Sequence, residues 1–335
     1  MRGEVSGQVA DHDIEFPDCP LCKGNQFKIM IKRAQDRVAR KAGSFQVQQC
    51  EACGLVITRP RPSAKRLPFF YEGVYSGAGA ATARAAQTGA IGQLVARYRL
   101  RVVRKLCVLS PRTRLLDIGC GYGVFAALVQ REAGCEVTGM DIDEGCLKEA
   151  MGSDVVDYRL GSLELLAGEP GRYDVVTFFE SLEHHADPVQ ALKMVRGLLK
   201  PGGVCVIEVP NFNGFWRKVF GTWWLPLLVP QHQVHFTPET LERTLRHAGF
   251  DVLKSSRPMF YPFESTASFA LWLNDKLGRP LIRYRLRWSR PDGVLLLLAV
   301  AVWWLLVEIP VQVLLMPVRG TGHQLIGSTR KHGEL

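Results

Sequence analysis

The stretch Leu115-Leu116-Asp117-Ile118-Gly119-Cys120-Gly121-Tyr122-Gly123 constrains this chain more than any other. An apolar run ends in an acid, three glycines then alternate with other residues, and the apolar pattern resumes at helical spacing with Val124, Phe125, Leu128 and Val129. That order specifies a buried strand, a tight turn and a helix start. Glycines in such a turn let the backbone approach a ligand that a Cβ would exclude. By itself a glycine-rich strand-to-helix turn serves many nucleotide folds.

The next segment narrows the reading. Glu136 to Asp141 reads as a second strand, ending in an acid placed to grip a ribose diol. The spacing Gly-x-Gly-x-Gly differs from the Gly-x-Gly-x-x-Gly of dinucleotide sites, where a helix N-terminus holds a pyrophosphate. Asp117 would sit badly beside a pyrophosphate and suits a ligand carrying an amino group and a sulfonium. Leu116 to Gly123 resembles the first motif of class I S-adenosylmethionine-dependent methyltransferases, and Asp141 matches their ribose-binding acid. The plainer alternative is a structural strand-turn-helix in another α/β protein. The resemblance implies S-adenosylmethionine as cofactor, contacted by Asp117, Gly119, Cys120, Gly121, Gly123, Asp141, Ile142, Ser162 and Glu180. It also implies a doubly wound, seven-stranded Rossmann-like α/β sheet.

The rest of the chain supports that sheet. Val155 to Leu160 reads as the third strand. Gly161-Ser162 stands where the family often has an adenine-contacting acid, so Ser162 is the candidate there. Tyr173 to Phe179 is nearly all apolar, as a central parallel strand should be. It runs into Glu180-Ser-Leu-Glu183-His184-His185. Asp187-Pro188 supplies a helix cap and a first-turn proline, and the helix lasts to Leu199. Val204 to Val209 and Phe250 to Ser256 read as strands five and six. His323 to Arg330 looks like the antiparallel seventh strand typical of the family. Ligands in such sheets bind beyond the strand C-termini. Asp117, Asp141, Glu180 and Asn211 all lie there.

The candidate proton acceptors are His232, His235, His184 and Glu183, at the rim of the expected cleft. His185 reads more simply as a structural or exposed side chain. The Glu180-x-x-Glu183-His184 arrangement also resembles that of quinone-biosynthesis O-methyltransferases, where it can hold a divalent ion. Variants of this pattern are also widespread in methyltransferases without a metal.

Upstream, Cys19-x-x-Cys22 and Cys50-x-x-Cys53-Gly54 form two knuckles that together make a tetrahedral, structural zinc site. The rivals are a redox disulfide and metal-free thiols. Some bacterial methyltransferases of small molecules and sugars carry a similar N-terminal ribbon, followed by a Pro-x-Pro segment and a Tyr-rich turn, matched here by Phe69-Phe-Tyr71 through Tyr75. The expected organisation is a tail at 1–18, a zinc-ribbon-like domain at 19–62, a linker and helix at 63–110, and the core at 111–256. An apolar helical insertion follows at 257–322, with the last strand and a tail at 323–335.

Composition excludes a disordered chain: 47% of residues are hydrophobic and 22% charged. The net charge of +10 draws on arginines near 97–105 and 279–290. The former cluster reads as a solvated face. Val294 to Val307 carries no charge but falls short of the roughly 20 apolar residues that span a bilayer. Residues 265–318 are therefore expected to lie on an anionic membrane surface. The bland alternative is a hairpin packed on the body or forming a dimer contact. Residues 1–18 lack the pattern of an export signal, from which a cytoplasmic location is expected, peripheral on the inner membrane if the insertion docks there. The combined reading is methyl transfer to a small-molecule, sugar or lipid-linked acceptor. The alternatives are a non-catalytic S-adenosylmethionine-binding scaffold and an RNA methyltransferase. Nucleic acid is not expected as partner, because no recognisable nucleic-acid module accompanies the arginines.

Overall fold

In the computed structural model, the described residues are 13–72, 84–85, 87–151, 155–255, 264–276, 299, 301–315 and 324–330. The Tyr75 end of the tyrosine-rich turn and the 279–290 arginines lie outside them, as do most of the 76–90 stretch and residues 294–298 and 300 of the Val294–Val307 run.

A seven-stranded sheet forms the body. Its strands are β6 (Arg114–Ile118), β7 (Glu136–Asp141), β8 (Asp157–Leu160), β9 (Tyr173–Phe179), β10 (Leu199–Pro210), β12 (Asp251–Ser255) and β13 (Gln324–Arg330). Their order is β12-β13-β10-β9-β6-β7-β8, with β13 antiparallel to both neighbours. The chain reverses direction outward from β6 and β9, which creates a switch point at their C-terminal ends. Successive residues of the central strands feed opposite faces. Leu115, Val175 and Val206 pack against the helices Ala90–Arg104 and Val124–Ala133. Leu116, Val176 and Ile207 pack against the helices Pro188–Leu198 and Pro238–His247. Burial on both faces explains why these strands read as continuous apolar runs.

The cysteine-bearing segment is not a separate bead. β2 (Phe27–Ala34), β3 (Phe45–Cys50) and β4 (Val56–Thr58) form a ribbon, and β11 (Val234–His235) from the body adds a fourth strand to it. Cys19, Leu21, Cys50, Leu55 and Ile57 belong to the same apolar core as Leu116 and Val176. At the near end, β1 (Ile14–Glu15) pairs with β5 (Arg61–Pro62), so part of the expected tail is a strand.

A third core joins the ribbon to the insertion. Phe45, Val47 and Phe70 meet Phe212, Trp216, Phe220 and Trp224, with Phe269, Trp272 and Trp303 packed against them. Phe269 and Trp303 stack with centroids 4.3 Å apart. The insertion was expected to meet lipid, but its described helices turn much of their aromatic surface onto protein. Glu308 is fully buried, in a π-helical turn over Trp304–Glu308, and it accepts a bond from the Thr266 backbone N–H at 2.8 Å. No helix among the described residues is long and apolar enough to cross a membrane.

Candidate functional site

The glycine turn has the backbone its composition requires. Gly119, Gly121 and Gly123 have φ of 74°, 53° and 69°, a region that only glycine enters without strain. The turn also leaves no room for side chains: a Cβ on Gly119 would lie 2.4 Å from the Ser181 Cβ, and one on Gly121 would lie 2.6 Å from Gln87 Oε1. Gly119 and Cys120 anchor the turn by donating to the Met140 carbonyl at the end of β7.

Two acids frame this cradle. Asp141 Oδ2 accepts from Gly121 N at 2.8 Å, and Oδ1 accepts from Asp143 N at 2.9 Å. Asp117 is buried, and its Oδ1 accepts from the Thr177 hydroxyl at 2.7 Å. Burial pushes the Asp117 carboxyl up to about 6, opposed by Thr177 and by Arg99. Both acids therefore stand at the C-terminal edge of adjacent parallel strands, in a polar setting suited to an amino group and a diol. Two more of the expected cofactor contacts lie at the surface. Ile142 is largely exposed, and Ser162 is exposed with its hydroxyl donating to Glu164.

The end of β9 carries a second constellation. Glu180 has φ of 59°, a strained conformation for a residue with a side chain, and such strain gathers at functional sites. Its amide donates to the Glu208 carbonyl on β10. Glu208 is fully buried and paired with Arg99 Nη2 at 2.5 Å, while the guanidinium lies 4.8 Å from the Phe179 ring centroid. Arg99 thus supplies the counter-charge for a cluster of buried carboxylates.

Glu183 is 1% exposed, and neither of its carboxyl oxygens meets a hydrogen-bond partner. Burial pushes it up to about 8, with the Glu208 charge adding to the effect. His232 Nε2 lies 3.8 Å from Glu183 Oε1. His232 Nδ1 sits 2.8 Å from the Pro226 carbonyl, which can only accept, so Nδ1 holds the proton and Nε2 offers a lone pair toward Glu183. The His184 ring stands edge-on to His232 with centroids 4.5 Å apart. Its Nδ1 lies 2.8 Å from the Tyr71 hydroxyl and 3.2 Å from the Gln231 carbonyl. Burial holds His184 down to about 4 and His232 well below its ordinary value.

The structure therefore collects Glu183, His184 and His232 within 4.8 Å of one another. This corrects the expected divalent-ion set, in which Glu180 stood in place of His232. The other two histidines are committed elsewhere. His235 is buried with Nε2 3.0 Å from Thr58 Oγ1, at the seam between ribbon and body. His185 stands edge-on to Phe178. Sequence reasoning missed Gln231 and gave Tyr71 only as part of a tyrosine-rich turn; it read Arg99 as part of a solvated cluster, which the structure corrects, because Arg99 is mostly buried against Glu208.

The four ribbon thiols also converge within 4.8 Å. Cys19 Sγ lies 3.4 Å from Cys53 Sγ, and Cys22 Sγ lies 3.5 Å from Cys50 Sγ. These separations exceed the roughly 2.05 Å of a disulfide. They approach the roughly 3.8 Å expected between thiolates that sit about 2.3 Å from a shared tetrahedral zinc.

A family model described as a methyltransferase domain matches residues 87–255. The chain is similar to the ubiquinone biosynthesis O-methyltransferase of Xanthomonas campestris pv. campestris, 34% identical over 172 residues that cover 48% of this chain and 72% of that protein. The enzyme of the same name from Nitrosospira multiformis is 37% identical over 150 residues, covering 41% and 62%. Among solved structures, phosphoethanolamine N-methyltransferase 2 of Haemonchus contortus in complex with S-adenosyl-L-methionine superposes with a TM-score of 0.53 at 17% identity, covering 92% of this chain and 68% of that one. That likeness concerns the fold.

Proposed function

Because the chain belongs to the methyltransferase domain family and is a class I S-adenosylmethionine-dependent methyltransferase, we propose that it methylates a hydroxyl oxygen of a small-molecule acceptor. The sugar and lipid-linked classes are the candidate acceptors. The observation that carries this reading is the placement of Glu183, His184 and His232 beside the end of β9, next to the glycine cradle between β6 and β7. The relatives that share this region act, by name, as O-methyltransferases.

The residues divide the work. S-adenosylmethionine supplies the electrophilic methyl group. The turn of Gly119, Cys120, Gly121 and Gly123 would meet the cofactor through its backbone, Asp141 would take the ribose hydroxyls, and Asp117 the amino group. Glu180 lines the same edge. A hydroxyl nucleophile must lose its proton as it attacks. The His232 Nε2 lone pair and the Glu183 carboxyl form the acceptor for that proton, with His184 beside them held by Tyr71. Glu183 holds its own proton until about pH 8, so its ionised form is the stronger partner for a histidine that gains charge.

A second reading concerns the same group. Two unpartnered carboxylate oxygens and an imidazole lone pair fit a divalent cation held by Glu183, His184 and His232, which would lower the pKa of a bound hydroxyl. The four ribbon cysteines would hold a structural zinc, with no position left for substrate. Leu306 and Leu314 expose apolar surface on the described part of the insertion, and they are the residues through which a peripheral contact with an anionic bilayer would form.

Mass spectrometry of cell extract incubated with the protein and isotope-labelled methyl donor tests the main reading. A labelled small molecule carrying a new O-methyl group is the expected result. Label confined to RNA or absent from every fraction overturns it.

A further inference from the structure

One cation in the aromatic connection lacks a counter-ion. Arg217 projects from the helix Phe215–Phe220, which follows the C-terminal end of β10 at Asn211. Its guanidinium lies 4.0 Å from the Phe212 ring centroid. The same ring stands 5.5 Å from that of His235, whose basicity the Arg217 charge depresses. Arg217 Nε is sealed from solvent and meets no acceptor. Among the described residues no carboxylate pairs with it, and burial alone weakens its hold on its proton. Arg37, Arg61, Arg99 and Arg159 differ, because each sits against a carboxylate, whereas Arg66, over Phe69, shares the unpartnered Nε but lies outside this connection.

A guanidinium taken partly out of water without an anion is costly. The aromatic face beneath it offsets some of that. Among the described residues no acceptor meets its N–H groups, and a two-pronged anion is the partner that guanidinium groups recognise best. The helix that carries it follows the C-terminal end of β10, the side of a doubly wound sheet on which ligands lie.

We propose that Arg217 binds an anionic group on the methyl acceptor, a carboxylate or a phosphate, and so orients the acceptor's hydroxyl toward Glu183 and His232. This assignment rests on the reading of the chain as a small-molecule methyltransferase. It makes the site selective: a neutral analogue of the acceptor leaves the cation desolvated and unpaired, whereas the charged acceptor completes it.

Calorimetry on the full chain saturated with S-adenosylhomocysteine tests the assignment, with phenol, benzoate and phenyl phosphate as ring-matched probes. Benzoate or phenyl phosphate should bind the wild type about ten-fold more tightly than phenol, as a charge-assisted hydrogen bond predicts. Which of the two binds better separates the carboxylate from the phosphate. Arg217→Gln should bring all three within about two-fold of one another. If Arg217→Gln does not fold, Arg217→Lys carries the test, because losing the two-pronged geometry should weaken the anion and leave phenol unchanged. Equal binding of the three probes by the wild type overturns the proposal, as does an undiminished anion preference in the variant that folds. Affinity for S-adenosylhomocysteine, measured first on each sample, separates the two levels. Its absence in the wild type defeats the methyltransferase reading. Its presence without anion preference defeats the Arg217 assignment alone.

Discussion

His235 Nε2 lies 3.0 Å from Thr58 Oγ1, and the strand that carries His235 pairs with the strand that carries Thr58. Thr58 also donates its hydroxyl to the His232 carbonyl at 2.7 Å and its amide to the Gln233 carbonyl at 3.0 Å, so this seam stitches the cysteine ribbon into the body. Cys19 and Cys50 share an apolar core with the central sheet, so whatever holds the four thiols together also supports the catalytic domain. Elemental analysis should find about one zinc per chain, falling toward zero in Cys50→Ser/Cys53→Ser. The same double variant should melt at lower temperature in one transition that includes the body. A ribbon that melts alone, with the body unaffected, would contradict the shared core.

Asp141 has two duties. It accepts from Gly121 and Asp143, and it is the residue proposed to hold the ribose hydroxyls. Asp141→Ala should therefore weaken S-adenosylmethionine by about 1–3 kcal/mol through the lost charged hydrogen bonds. Calorimetry of the folded variant checks this, and wild-type affinity in it would remove Asp141 from the cofactor site.

The Glu183 and His232 pair predicts a pH profile. Glu183 is neutral below about pH 8 and gains its charge above it. Turnover of an identified acceptor should therefore rise from pH 7 to pH 9. Glu183→Gln should flatten the rise and lower the rate by about 10²–10⁴, the usual range for general base catalysis. His232→Ala should lower turnover while cofactor affinity holds. A Glu183→Gln enzyme with the wild-type profile would exclude the carboxyl from the proton transfer.

His235 makes a prediction for stability. Burial holds it down to about 3, below the ordinary value of 6.5, so between those values the unfolded chain binds the proton and the folded chain does not. Its contribution is present above pH 6.5 and is lost as the pH falls. His235→Gln keeps a hydrogen-bonding group and cannot titrate. Its stability deficit relative to wild type should shrink by about 1–2 kcal/mol between pH 7 and pH 5. Parallel urea melts at the two pH values measure this directly, since other titrating groups cancel in the comparison. A deficit that grows toward pH 5 would mean that the imidazole is charged in the fold.

Glu308 tests how the insertion is held. Its buried carboxylate accepts from both the amide and the hydroxyl of Thr266, near the start of the helix Glu264–Lys276. Glu308→Ala leaves those donors without a partner inside the protein, which should cost about 1–3 kcal/mol. Loss of stability together with increased protease cutting near Thr266 is the expected outcome. A fully stable variant would show that the two helices are held by their aromatic contacts alone.

Local patterns carried much of this protein. The glycine turn, the acids after β6 and β7, the apolar run of β9 and the two cysteine knuckles were all legible, because each is written within a few consecutive residues. Backbone preference and side-chain period act at that range. What the sequence could not express was company. Nothing near Val234 or His235 announces a strand of the ribbon, and nothing near Tyr71 announces a partner for His184. The local pattern grouped Glu180 with Glu183 and His184, and only the chain from Pro226 to Gln233, folding back, brings His232 to Glu183. The apolar insertion suggested lipid, and its described helices pack aromatic side chains on Trp216 and Phe220 while Leu306 and Leu314 stay exposed. Hydrophobicity says that a surface must be covered but not by what, because the effect has no direction. The tertiary structure made that choice, by the packing of segments far apart in the chain.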